Sequence, residues 1–366
     1  MSRLETKVEN MTPEENGEQV ERVSMGRKLR VFFGLLSLAL VIVVGTIGWW
    51  YVSAFNQAAG IGSNYLYNQV SIGLKQVVPQ AKGRTNLLLL GLDEVSQQRS
   101  GSLLTDTIIV ISIGEEGEIS LLSLPRDLWI EAFKTKINAL YYYGELNEDT
   151  TGEELTRTSV EDITGLEIHY SLVTKMSTVR SLIGVLGYIP IEVETGFVDN
   201  KFPRDDVPVD MEPESLRYET VEFVEGKQDF DGERALKFIR SRNSEDQEEG
   251  NDIGRSKRQQ QVIAGIVTRL KSKDILYNPA IMGGIYGLWG DEVFTDLEDS
   301  DVLAIFKQLM GTRVNLKTLS IPIVNDNGSG LIFHPAIEKY DQWVYEPVDP
   351  TWKELTAWIQ VNLGER

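Results

Sequence analysis

At 366 residues, 42% of them hydrophobic, the chain is long enough for one or two domains with a substantial core. It has no cysteine, which excludes disulfides and thiolate metal sites, and its two histidines, His169 and His334, make a His-based triad or a zinc centre a poor fit. A formal net charge of −19 argues against general nucleic-acid binding, which calls for a basic face.

Residues 1–30 are polar and Glu-rich, with six Lys/Arg and six Asp/Glu, and predict a disordered tail of zero net charge. The whole −19 therefore lies beyond it. Residues 31–52, "VFFGLLSLALVIVVGTIGWWYV", carry no charge and match the roughly 20 residues of a membrane span. Trp49, Trp50 and Tyr51 close the run with interfacial aromatics. Arg22, Arg27, Lys28 and Arg30 precede it and no Lys or Arg follows until Lys75, so the positive-inside rule predicts a single-pass anchor with a cytoplasmic N-terminus. The run exceeds the roughly 7–15 apolar residues of a cleaved signal peptide. Residues 53–84 read as a juxtamembrane helix or stalk.

Three apolar runs follow, "NLLLLGL" (86–92), "TIIVISI" (107–113) and "EISLLSL" (118–124), with the length and near-continuous apolarity of strands covered on both faces. "MSTVRSLIGVLG" (176–187) predicts a helix closed by Gly187, followed by a short strand "IEVE" (191–194). The stretch 195–230, rich in Pro, Asp and Glu, reads as a long surface excursion. "DGERALKFIR" (231–240) predicts a helix N-capped by Asp231, and 253–271 a longer one. Later helical stretches, "DVLAIFKQLM" and "ELTAWIQVNL", alternate with short apolar runs. The expected fold is one α/β domain over 85–366, a sheet sandwiched between helices.

Charged residues stand at the ends of the three runs: Asp93 after the first, Asp106 just before the second, and Arg126 in "SLPRD" after the third. Ends of buried strands are where α/β folds commonly hold ligands. Paired carboxylates without histidine suit a hard cation such as Mg²⁺ (or Mn²⁺). In "RSRNSEDQEEGNDIGRSKRQQQ" (240–261), helical phase puts Arg255 and Gln259 in line with Ile263, Ile266 and Leu270, while Lys257 points away and Arg258 falls at the edge of that sector. An inward Arg requires a partner, either a protein carboxylate or a ligand anion. Arg240 ends the preceding helix, and Arg242 continues its line with Ala235 and Ile239 if helical geometry extends that far. Several guanidiniums beside a cation site suggest a diphosphate or phosphoryl group. The acidic loop between them reads as a solvated connector.

The order of a single anchor, "NLLLLGLD", "LLTDTIIVISI", "ISLLSLPRDLWI", "KINALYYYGE", "VEDITGLEIHYSL", "FDGERALKFIRSR" and "DIGRSKRQQQVI" resembles the LytR–CpsA–Psr (LCP) family, with core motifs over 86–263 and 264–366 as a less distinctive continuation. The resemblance implies an α-β-α sandwich with a hydrophobic groove for a lipid tail. It also implies an extracytoplasmic Mg²⁺-dependent phosphotransferase that moves a glycopolymer from a polyprenyl-pyrophosphate carrier to peptidoglycan or a related wall acceptor. By motif position, Asp93 and Asp106 would bind the metal. Arg126, Arg240, Arg242 and Arg255 would clamp the pyrophosphate, with Arg126 and Arg255 at the reacting centre, Lys136 and Gln259 would complete the polar shell, and Asp252 would be the base. The family's Arg shortly before the second Asp is replaced by Leu103 and Leu104, and Arg99 is the candidate substitute; "GYIP" (187–190) replaces the family's "GGVD". A polyprenyl-pyrophosphate hydrolase or a non-catalytic, membrane-anchored envelope regulator are the alternatives, and the Asp pair speaks against a pure binder, for which arginines alone suffice.

Overall fold

A computed structural model describes residues 13–94, 101–204, 206–208, 211–244, 246, 249–250, 252–310, 315–325 and 327–364. The chain divides into two units, 1–55 and 56–366. The first consists of helix α1, Pro13–Ala59, which runs four residues past the boundary. Its segment Phe32–Ala59 is long and apolar enough to cross a membrane, and so fits a single-pass anchor. The second half of the tail, expected to be disordered, is helical from Pro13: Glu, Gln, Arg and Lys are good helix formers and run directly into the apolar span.

Within the stretch read as a juxtamembrane helix or stalk, the second unit carries α2, Ser63–Gly73. The central sheet is six-stranded, in the order β11-β6-β1-β2-β3-β12. Its members are β1 (Arg84–Asp93), β2 (Leu104–Gly114), β3 (Glu118–Ser123), β6 (Tyr170–Lys175), β11 (Val293–Thr295) and β12 (Asn315–Ser320), with the small strands β4 (Trp129–Ile130) and β5 (Thr135–Lys136) pairing apart from it. The first three are antiparallel neighbours, whereas β6 runs parallel to β1 and β12 parallel to β3.

Both faces of the sheet are buried, as the unbroken apolar runs require. Leu88, Leu90, Val110 and Leu122 pack on one face with Val160 and Ile163 of α4 (Gly152–Thr164), which follows the short helix α3 (Leu140–Glu145). On the other face lie Leu87, Ile109, Leu121 and Leu172. Each such fully buried aliphatic side chain contributes about 1.5–3 kcal/mol.

A second core lies beside the sheet. Helix α5 (Met176–Leu186) ends at Gly187, whose φ of +83° is a backbone shape that glycine takes without strain. The stretch read as a surface excursion instead contributes β8 (Phe197–Pro203), β9 (Tyr218–Phe223) and β10 (Gly226–Phe230), the last paired with β7 (Ile189–Val193). Phe197, Phe202, Val221, Phe223 and Phe230 are buried there against Phe238. The Pro and acidic residues had masked an alternating hairpin. Helix α6 (Gly232–Arg240) begins at the expected Asp231 cap, whose carboxylate accepts from the Arg234 amide at 2.8 Å, and α7 spans Asp252–Leu270.

The chain closes with α8 (Lys273–Leu276), α9 (Pro279–Glu292), α10 (Asp299–Met310), the strand pair β13 (Ile332–Phe333) and β14 (Glu346–Pro347), and α11 (Lys353–Leu363). Ala304 of α10 packs on the second face of the sheet, and Leu355, Ile359 and Leu363 of α11 on the first, which completes an α-β-α sandwich.

Candidate functional site

The antiparallel register of β1 and β2 breaks once: Gly91 faces Thr107, but Leu92 faces Thr105. Asp106 is the extra residue. Such a bulge interrupts the alternation of a strand and re-aims one side chain. Here it puts Asp106 beside Asp93, the last residue of β1, in one cavity of about 90 Å³. Gly91 makes the approach possible, because a Cβ there would lie 2.8 Å from Thr107 Cβ. Asp106 is thus inside β2 rather than before it.

Arg126 reaches the same cavity from the turn after β3, where the Leu128 amide donates to the Pro125 carbonyl. Its Nη1 donates to both carboxylate oxygens of Asp106, at 2.9 and 3.0 Å, and Arg255 Nη1 makes a longer contact of 3.4 Å to Oδ2. Arg255 and Gln259 project from the first turns of α7, both buried, while Lys257 is exposed, as helical phase predicts. Gln260 clips this helix over the sheet, donating 2.8 Å to Ser123 Oγ and 3.1 Å to the Leu319 carbonyl. Gln259 Nε2 is buried without a hydrogen-bond partner, at the wall of the cavity. A buried amide left in that state costs about 1–3 kcal/mol unless something accepts from it.

Arg240 and Arg242 close the remaining wall. Helix α6 ends at Arg240, and Ser241 is extended (ψ 133°), so Arg242 is not carried on the helical line expected for it. It is placed instead by Asp199, which is fully buried and accepts from the backbone amides of Arg242 and Asn243 at 3.1 and 3.2 Å. Arg258 supports the same segment from beneath. It is 1% exposed, donates to the Phe238 and Ser241 carbonyls, pairs with Glu249, and lies over the rings of Phe197 and Phe238. Burial pulls its pKa below the usual guanidinium range, with Glu249 opposing. The acidic loop is therefore more than a solvated connector: Glu249 anchors it to the core.

The structure brings Asp93, Asp106, Arg126, Arg240, Arg242, Arg255 and Gln259 to one cavity. Lys136 does not line it; its ammonium lies 2.6 Å from Asp127, whose other oxygen is 3.5 Å from Arg126 Nε. Arg99 lies outside the described residues, and so does the side chain of Asp252 at the start of α7. Asp199 was not singled out from the sequence, and Arg258 was placed only at the edge of the inward sector. A lone Asp in an acidic stretch gives no sign that it caps a loop some 43 residues on, and Arg258 sits where a helix packed on two sides buries more than one stripe.

Four guanidiniums and two carboxylates line the cavity, a balance of 4 − 2 = +2 in a chain of −19. The set can bind a polyanion. Among the described residues no group of three or more His, Cys, Asp or Glu could hold a metal. Two carboxylates nonetheless fit Mg²⁺, which is commonly held by one or two carboxylates, waters and substrate phosphates. A second, largely apolar slot shares Asp106, Arg126, Arg255 and Gln259 with the charged cavity and continues along Ile108, Leu124, Ile321, Ile323 and Tyr345.

A cavity lined by four arginines at the edge of an α-β-α sandwich, continuous with an apolar slot, marks this chain. The chain belongs to the LytR–CpsA–Psr family: the LytR_cpsA_psr family model matches residues 50–346. Similar curated proteins include the polyisoprenyl-teichoic acid–peptidoglycan teichoic acid transferase TagU of Oceanobacillus iheyensis, 27% identical over 69% of this chain and 71% of its own length. TagV of Bacillus subtilis, of the same description, is 27% identical over 90% of this chain and 77% of its own. Among solved structures, B. subtilis TagV covers 78% of this chain and all of that one (TM-score 0.55, 22% identity), and TagT bound to LIIa-WTA covers 80% and 96% (TM-score 0.52, 18% identity). The structural likenesses speak for the fold.

Proposed function

We propose that the protein is an extracytoplasmic, membrane-anchored phosphotransferase that moves a glycopolymer from a polyprenyl-pyrophosphate carrier to peptidoglycan or a related wall acceptor. The observation that carries this reading is the charged cavity opening into an apolar slot with four shared wall residues, as a ligand with a diphosphate head and a hydrocarbon tail requires. The teichoic acid transferases that this chain resembles support it. The slot is narrow, about 30 Å³, so a polyprenyl tail would have to part its walls.

Arg126, Arg240, Arg242 and Arg255 hold the diphosphate oxygens, for which planar guanidiniums are suited, and the Gln259 amide donates to an oxygen beside them. Asp93 and Asp106 would hold Mg²⁺ (or Mn²⁺), whose charge helps neutralise the diphosphate. An acceptor hydroxyl attacks the phosphorus that bears the sugar. The new oxygen–phosphorus bond forms as the bridging bond breaks, Asp252 takes the hydroxyl proton, and polyprenyl phosphate departs with the bridging oxygen. The arginines stabilise the charge gathered on that leaving group. Anchoring confines the site to the membrane that holds the lipid carrier and raises their effective concentration.

The test gives the full chain, in lipid, a polyprenyl-pyrophosphate-linked saccharide, Mg²⁺ and a peptidoglycan acceptor. Linked product is expected. Consumption of the donor without linked product would make the protein a hydrolase. No turnover, with Asp93→Ala and Asp106→Ala leaving lipid binding unchanged, would refute an enzymatic role.

A further inference from the structure

We propose that the outward face of α2 lies in the lipid–water interface of the membrane that the apolar helix spans. The proposal rests on that helix being a membrane span and is independent of the transfer reaction. Among the described residues, helix α2 is docked through Tyr65, Gly73 and the residues just after it. The Tyr65 hydroxyl donates to the Asp299 carboxylate, Lys307 Nζ donates to the Leu74 carbonyl at 2.8 Å, and Gln76 Nε2 donates to Asp301 at 2.9 Å just beyond the helix. Gly73 meets Ser300 and Leu303 so closely that a Cβ there would be 2.7 Å from Leu303 Cβ. These four contacts are to α10, and the Tyr65 hydroxyl also meets Tyr286 of α9.

The other side is apolar and open. Tyr67, Val70 and Leu74 recur at i, i+3 and i+7 and so share one stripe of the helix, with exposures of 76%, 37% and 59%; Val77, 86% exposed, follows them. A soluble surface would show polar residues at these positions. Charge points the same way: between Glu21 and Asp93 there is no Asp or Glu, although the chain carries 55. The only charges in 53–84 are Lys75, Lys82 and Arg84. An amphipathic segment with aromatic and aliphatic residues, lysine and no acid is the composition that lies along a bilayer surface.

Connectivity selects the bilayer over other partners. Only Gly60, Ile61 and Gly62 separate the end of α1 at Ala59 from Ser63, a reach of at most about 14 Å, and the helical residues 53–59 add about 10 Å beyond the interfacial aromatics. The stripe therefore cannot leave the neighbourhood of the membrane in which the preceding helix sits. Docking to α10 then passes that attachment to the whole second unit.

The chain has no cysteine, so one introduced thiol is the only one. The experiment places a fluorophore at Tyr67→Cys, Leu74→Cys or Val77→Cys in the full chain, in nanodiscs with one copy per disc. Val41→Cys in the apolar helix and Val361→Cys, 78% exposed on α11, serve as references. Labels at 67, 74 and 77 are expected to be quenched by nitroxide lipids and to be several-fold less sensitive to aqueous iodide than the label at 361. Sensitivity equal to that at 361, with the label at 41 quenched by lipid, would overturn the proposal while leaving the span intact. A label at 41 that lipid does not quench would overturn the span itself. Protection that appears only with two copies per disc would assign the stripe to a second copy and overturn the proposal as well.

Discussion

Arg126 holds both carboxylate oxygens of Asp106 through one nitrogen, at 2.9 and 3.0 Å, in the cavity where Asp93 also stands. The residue proposed as a metal ligand is thus the partner of a residue proposed to bind phosphate. A diphosphate that draws Arg126 to itself releases Asp106 toward a cation, and a cation on Asp106 releases Arg126 toward the diphosphate. The two ligands should therefore help one another.

Mg²⁺ affinity of the full chain is expected to rise in the presence of pyrophosphate by about 5–150-fold, the range of a 1–3 kcal/mol coupling, with the reciprocal gain for pyrophosphate. Calorimetry corrected for Mg²⁺–pyrophosphate pairing in solution measures both. Arg126→Met should raise Mg²⁺ affinity without pyrophosphate and abolish most of the coupling. Identical Mg²⁺ affinity with and without pyrophosphate would show that the pair does not open.

Arg242→Ala and Arg255→Ala should each weaken pyrophosphate binding by about 1–3 kcal/mol, as expected for charged hydrogen bonds. Asp199→Ala should mimic Arg242→Ala in affinity although Asp199 lines no part of the cavity, because it leaves the amides of Arg242 and Asn243 unpaired. A double variant no weaker than the worse single one would show that the two act as a unit. Full additivity would mean that Asp199 does not position Arg242.

Arg258→Ala should destabilise the second unit by about 3–5 kcal/mol, since it empties a large buried volume and strips the partners from Glu249 and two carbonyls. Urea unfolding followed by tryptophan fluorescence measures this. A loss below about 1 kcal/mol, the scale of a surface pair, would place Arg258 in water.

His169 Nδ1 accepts from the Asn86 amide at 3.1 Å, which requires that nitrogen to be unprotonated, and burial lowers the imidazole pKa below its ordinary 6.5. The unfolded chain therefore binds the proton more readily than the folded one. Stability from this group is complete above pH 6.5 and declines as pH falls from there through the lower folded value. Unfolding free energies between pH 8 and 5 should show the decline, and His169→Asn should flatten it. An unchanged slope in that variant would assign the pH dependence elsewhere.

The parts of this molecule written in local pattern were legible before folding. Unbroken apolar runs announced β1, β2 and β3, Asp231 announced the start of α6, and helical phase separated Arg255 and Gln259 from Lys257. What escaped depends on pairing across the chain. The bulge at Asp106 exists only in relation to β1, and the role of Asp199 only in relation to a loop 43 residues away. The β8–β9 hairpin was hidden because Glu219, Glu222 and the Pro- and Asp-rich connection between its strands suggested a loop, while the acid of β8, Asp199, faces inward. Helix α2 could not be distinguished from a stalk without α10 to receive it.

The cavity lies on a seam. Asp93 and Asp106 belong to the sheet and Arg126 to the turn after β3, whereas Arg240 and Arg242 rest on the phenylalanine-rich cluster. A diphosphate held as proposed would bridge two apolar clusters of one compact unit, tying the sheet to its neighbour. The spacing of the clamp would then depend on how both clusters pack, so substitutions deep in either one, far from any charge, should retune the grip on the diphosphate.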